Sequence, residues 1–95
     1  MRYVIQSKDF RRDIKRLSSS RYRSIINNNL GSVVDTLAND EPLDYFLHHD
    51  HALSGNLKGF RECHLAFDLV LIYKLEDNNT LELSRLGSHS EVLGL

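Results

Sequence analysis

The chain contains one cysteine, Cys63, one proline, Pro42, and no tryptophan among its 95 residues. A lone cysteine excludes an internal disulfide scaffold and fits a reducing cytoplasm. There is no Cys-x-x-Cys and no His-Glu-x-x-His, so the usual zinc spacings are missing. No run approaches the roughly 18 apolar residues needed to span a bilayer. The opening Met1–Ser7 has too short an apolar stretch for a signal peptide. Repeats, low-complexity tracts and linkers are absent as well, so one domain over residues 1–95 is expected.

Net charge is also small, at −1, which by itself argues against a nucleic-acid partner. The distribution says more. Residues 1–30 carry eight Lys/Arg against two Asp, a net +6, whereas residues 31–95 carry four basic and eleven acidic side chains, a net −7. A basic N-terminal third suits RNA, a solvated helix face, or a docking face for an acidic protein.

Periodicity gives the elements. Arg2 to Ile5 reads as a strand, and Ser7 as the N-cap of a helix reaching about Leu17. Phe10, Ile14 and Leu17 then form one apolar stripe. After Ser18-Ser19-Ser20, a second helix is expected from about Arg21 to Ala38, with Gly31 costing about 1 kcal/mol inside it. Pro42 closes the helical hairpin. Residues 43–56 read as irregular. Gly59–Leu65, Asp68–Leu75 and Thr80–Leu86 read as three strands. The middle one, apolar on both faces through Leu69-Val70-Leu71-Ile72-Tyr73, should be central. The expected fold is α+β, a strand and helical hairpin packed on a small, mostly antiparallel twisted sheet.

The chemistry-bearing side chains gather in the second half: His48, His49, His51, Arg61, Glu62, His64, Asp68, Arg85 and His89. Strand alternation places Phe60, Glu62 and His64 on one face and Arg61, Cys63 and Leu65 on the other. The face away from the helices can stay polar and open. His64 and Asp68 flank one tight hairpin, and His89 follows Gly87-Ser88 on an expected loop. Histidines can supply both the base and the acid that RNA cleavage through the 2′-hydroxyl requires. Arg61 or Arg85 can steady phosphorane charge, and Asp68 can orient an imidazole. His48, His49 and His51 could instead bind a metal, without a standard spacing to support it. Cys63, on a strand, reads as a packing residue.

Three ordered runs add a resemblance. Asp50–His64, with the sequence DHALSGNLKGFRECH, resembles the pattern DHxLxGxWKGxRxxH of YafQ-type toxins in the RelE superfamily. Asp68–Tyr73 is similar to that family's DxxLIY strand, and Arg85–Glu91 to its RxGsHxxLF ending. Four positions depart from the pattern. Leu57 stands at a frequent Trp, Leu93 at the usual terminal Phe, and Phe67 and Leu69 at the usual Pro and Trp.

The resemblance implies a RelE-like fold and a type II toxin that cuts mRNA in the ribosomal A site without metal or other cofactor. It implies a DinJ-like antitoxin partner, operator DNA reached only through that antitoxin, no membrane association, and a bacterial cytoplasmic location. By position it assigns catalysis to His51, His64, Asp68 and His89, with His89 the chief proton-transfer group. Arg61, Arg85 and Lys58 would bind phosphate, with Glu62 and Leu93 in secondary roles; His48 and His49 match nothing. A second reading is a weakly active or inactive toxin fold that acts mainly as an antitoxin-bound transcriptional co-repressor. A third is a metal enzyme built on His48, His49 and His51.

Overall fold

A computed structural model describes residues 1–94. Strand β1 (Tyr3–Gln6) runs through Ser7 into helix α1 (Lys8–Leu17). Ser7 Oγ accepts the Phe10 N–H at 3.0 Å and donates to the Ser84 carbonyl at 2.7 Å. One side chain therefore caps the helix and ties its start to the last strand. Phe10 and Leu17 are buried, with Ile14 packed beside them.

The second helical run is not the uniform helix expected. It begins as α2 (Arg23–Ile25), widens into a π-helical stretch (Ile26–Leu30) and tightens again as α3 (Gly31–Ala38). Asn27-Asn28-Asn29 and Gly31 sit at the widening. These are weak helix formers, so little helical stability is lost where the turn opens. Ile25, Ile26, Leu30 and Val34 still reach the core, beside buried Val33 and Leu37.

Strands β2 (His51–Ala52), β3 (Arg61–Ala66), β4 (Leu69–Glu76) and β5 (Thr80–Gly87) complete a sheet of order β1-β5-β4-β3-β2. β1 pairs parallel with β5, and the other pairs are antiparallel. β4 is central as expected, with Leu69 to Tyr73 at most 2% exposed. The helices cover one face over Phe10, Leu17, Leu37, Leu71, Tyr73 and Leu81. Each large side chain buried there contributes about 1.5–3 kcal/mol. The opposite face carries a thinner apolar patch of Val70, Ile72 and Val92, flanked by Leu53, Phe60 and Leu93. Because the helix side holds most of the apolar burial, the other face can keep polar groups.

Two segments read as irregular are ordered. Asp44 accepts the Phe46 N–H at 2.9 Å and caps a one-turn helix α4 (Tyr45–His48), and β2 extends the sheet edge. His89 lies not on a loop but at the first position of helix α5 (His89–Leu93). Ser88 and Glu91 form a reciprocal capping box there, which fixes where the helix begins.

Candidate active site

Glu62, on β3, is 2% exposed and sits on the face away from the helices, as strand alternation predicted. Its Oε1 accepts from His64 Nε2 at 3.2 Å and from His89 Nε2 at 3.1 Å. His51 Nε2 approaches the same oxygen at 3.9 Å. A side chain of this kind buried this deeply needs hydrogen-bond partners. Here His64 of β3 and His89 of α5 supply them, with His51 of β2 close by. Glu62 holds only a secondary place in the motif; the fold makes it the centre of the group.

Asp68 stands at the β3–β4 turn. Its Oδ1 accepts the His89 backbone N–H at 3.1 Å and the His89 Nδ1–H at 2.9 Å. Both ring nitrogens of His89 thus face carboxylates, an arrangement that favours the doubly protonated, cationic ring. The Asp68 hydrogen bond, backed by Glu62, raises the His89 pKa above its ordinary value near 6.5 in spite of partial burial. The His89 N–H groups in turn lower the Asp68 carboxyl. His64, with its ring centroid 5.1 Å from that of His89, shifts the other way. Burial lowers it, and the nearby His89 adds to the effect against the pull of Glu62. Two imidazoles pushed apart around one carboxylate form a natural acid and base.

The structure brings His51, His64, Asp68, Glu62 and His89 together and separates the other candidates from them. Arg61 lies on the opposite side of β3, donating to Asp50 at 3.1 Å and to the Tyr73 hydroxyl at 3.3 Å. The Tyr73 hydroxyl donates to Asp50 in turn. Arg85 grips buried Asp13 on α1 through two hydrogen bonds of 2.8 and 3.2 Å. Asp13 also accepts the Leu86 N–H at 2.9 Å and an Arg16 hydrogen bond at 3.3 Å. Lys58 is exposed at the end of a 3-10 turn (Gly55–Leu57), and Leu93 packs beside Val70 and Ile72. Cys63 is fully buried in the helix-side core, and that burial pushes its thiol pKa up, as suits a packing residue. Sequence reasoning missed the central place of Glu62, which strand alternation put on the right face without showing which histidines meet it.

One further grouping bears on metals. Ligand atoms of Glu62, His64 and His89 lie within 4.8 Å of one another. A nitrogen-rich set of this kind suits Cu(II) or Zn(II). His48 and His51 each donate Nδ1 to a backbone carbonyl, of His64 and His49 respectively. Among the described residues, the metal-compatible group is therefore centred on Glu62 and does not use His48, His49 and His51.

The sequence profile of the bacterial YafQ toxins of type II toxin-antitoxin systems matches residues 2–94. The mRNA interferase toxin YafQ of Escherichia coli K12 is 32% identical over 93 residues, covering 98% of this chain and 97% of the relative. The toxin in a DinJ-YafQ complex from E. coli superposes with a TM-score of 0.81 at 33% identity, over 99% of this chain and 100% of the other. A metal-bound toxin from Helicobacter pylori superposes with a TM-score of 0.79 at 42% identity, over 97% and 99% of the two chains.

Proposed function

The chain belongs to the YafQ family of type II toxins, and from that premise we propose that it is a ribosome-dependent endoribonuclease cutting translated mRNA by metal-independent histidine chemistry. The observation that carries this reading is the pair His64 and His89 on Glu62 Oε1, with pKa values displaced in opposite directions. The interferase name of the E. coli relative supports RNA as the substrate.

In this reading the unprotonated His64 takes the proton of the 2′-hydroxyl. The 2′-oxygen attacks the adjacent phosphorus, and the bond from phosphorus to the 5′-oxygen breaks. His89 gives its proton to that departing oxygen, leaving a 2′,3′-cyclic phosphate and a 5′-hydroxyl. Asp68 holds the His89 ring in place and in its charged form. Glu62 aligns both imidazoles, and His51 screens the rim. Arg85 keeps 33% of its side chain exposed and can offer an N–H to a backbone phosphate while held on Asp13; Arg61, on the opposite side of β3, serves Asp50 and Tyr73 instead.

A DinJ-like antitoxin is the expected partner, by extension from the E. coli complex. Operator DNA is reached only through it, and the protein works in the bacterial cytoplasm, where ribosomes are. No helix among the described residues is long and apolar enough to cross a membrane.

Primer extension on a reporter mRNA in a cell-free translation system tests the reading. Discrete cuts inside the translated frame are expected, and they should vanish when initiation is blocked. Equal cutting of bare transcript would overturn ribosome dependence, and no cutting at all would overturn the nuclease.

A further inference from the structure

His48 and His49 match no part of the family pattern, yet the fold places both against the catalytic group. We propose that Tyr45 and His49 form a stacking platform for the mRNA base on the 5′ side of the cut. The proposal rests on the reading above, in which His64 serves the nucleotide that carries the attacking 2′-hydroxyl.

Rings run in an unbroken line away from the acid. The His89 and His64 centroids are 5.1 Å apart, those of His64 and His49 5.5 Å, and those of His49 and Tyr45 5.6 Å. Successive planes are inclined by 59°, 63° and 66°. The two outer contacts are edge-to-face and the innermost is tilted, so none of them is a stack that would cover two ring faces at once. Tyr45 is 61% exposed, a large aromatic surface in water beside a site for a single-stranded polymer. Single-stranded nucleic acids bind on such faces, and stacking accepts every base while favouring those that stack more strongly.

The platform is anchored to the machinery it would serve. His48 Nδ1 donates to the His64 carbonyl at 2.8 Å, fastening α4 to β3. His49 adopts left-handed backbone angles, φ 48° and ψ 42°, a conformation uncommon outside glycine. Its carbonyl then receives His51 Nδ1 at 2.7 Å. The strained residue is thus stitched into the catalytic rim with its ring against His64, the kind of place where backbone strain accompanies function.

The test uses the full chain in cell-free translation, with cut sites mapped by primer extension. Tyr45→Ala and His49→Ala should each raise the toxin concentration needed for half-maximal cutting by about tenfold. They should also redistribute cuts according to the base on the 5′ side, and Tyr45→Ala, whose ring does not touch His64, should do so with the rate at saturation and its pH profile little changed. Tyr45→Phe should cut as wild type, because the ring and not the hydroxyl is used; Leu47→Ala, on the same helix, should do so too. Wild-type concentration dependence and cut map in both alanine variants would overturn the platform. So would an unchanged map with weakened antitoxin binding, which would assign these rings to the antitoxin. A wild-type protein that cuts nothing would instead overturn the nuclease reading itself.

Discussion

A single oxygen, Asp68 Oδ1, holds His89 by both its ring Nδ1–H, at 2.9 Å, and its backbone N–H, at 3.1 Å. The position of the α5 start and the charge of the imidazole are therefore set by the same carboxylate. The substitution Asp68→Asn keeps an acceptor of the same shape and removes the charge. It should lower the His89 pKa and move the alkaline limb of the rate profile to lower pH, with a rate loss of about 10–100-fold above neutrality. A pH–rate profile of the variant checks this. An unmoved alkaline limb would show that Asp68 does not control the acid.

The wild-type profile should be bell-shaped, with one limb set by the lowered His64 and the other by the raised His89. The base works only when unprotonated, so rate falls as pH drops through the lowered His64 pKa. The acid works only when protonated, so rate falls as pH rises through the raised His89 pKa. The two limbs report the coupled pair and not isolated residues. A profile still climbing well past neutrality would contradict protonated His89 as the acid.

Metal should inhibit and not activate. Glu62, His64 and His89 can share one ion through atoms within 4.8 Å, and an ion seated there occupies the nitrogens needed for proton transfer. Cleavage should persist in EDTA and decline on titration with Cu(II), with recovery on chelation. Activity lost in EDTA and restored by metal would reverse the assignment.

Asp13 is 4% exposed and takes four hydrogen bonds, from Arg85, Arg16 and the Leu86 N–H. Burial alone would raise its pKa; Arg85, Leu86 and Arg16 outweigh that and lower it. Its contribution to stability is therefore present above the ordinary carboxyl value and is lost as pH falls through the lowered one. Asp13→Asn should cost about 2–4 kcal/mol, below the full figure for a broken buried pair because Arg85 and Arg16 stay partly in water. For a chain of this size the melting temperature should drop by about 10 °C or more. A drop under about 3 °C would show that the hub contributes little.

Much of this was legible in the sequence because the signals are local. The Leu69–Tyr73 run marked the central strand, and alternation along Phe60-Arg61-Glu62-Cys63-His64 sorted the polar face from the core face. The α5 helix was missed and His89 was read as loop, although Ser88 and Glu91 stand at capping-box spacing before Val92. The π-helical stretch was not visible, because Asn27-Asn28-Asn29 weakens a helix without saying which turn replaces it. Long-range partners were hidden for a different reason. Arg85 meets Asp13 across 72 residues of sequence, and His51, His64 and His89 meet on Glu62 from three separate elements. No spacing encodes such convergence.

The most direct measurement is the single-turnover rate of mRNA cleavage on programmed ribosomes for wild type and His89→Ala, each first shown to be folded and to bind its antitoxin. Loss of the acid should slow cutting by about 100-fold or more, with antitoxin affinity unchanged. A variant that cuts within a few-fold of wild type would be incompatible with His89 as the group that protonates the departing 5′-oxygen.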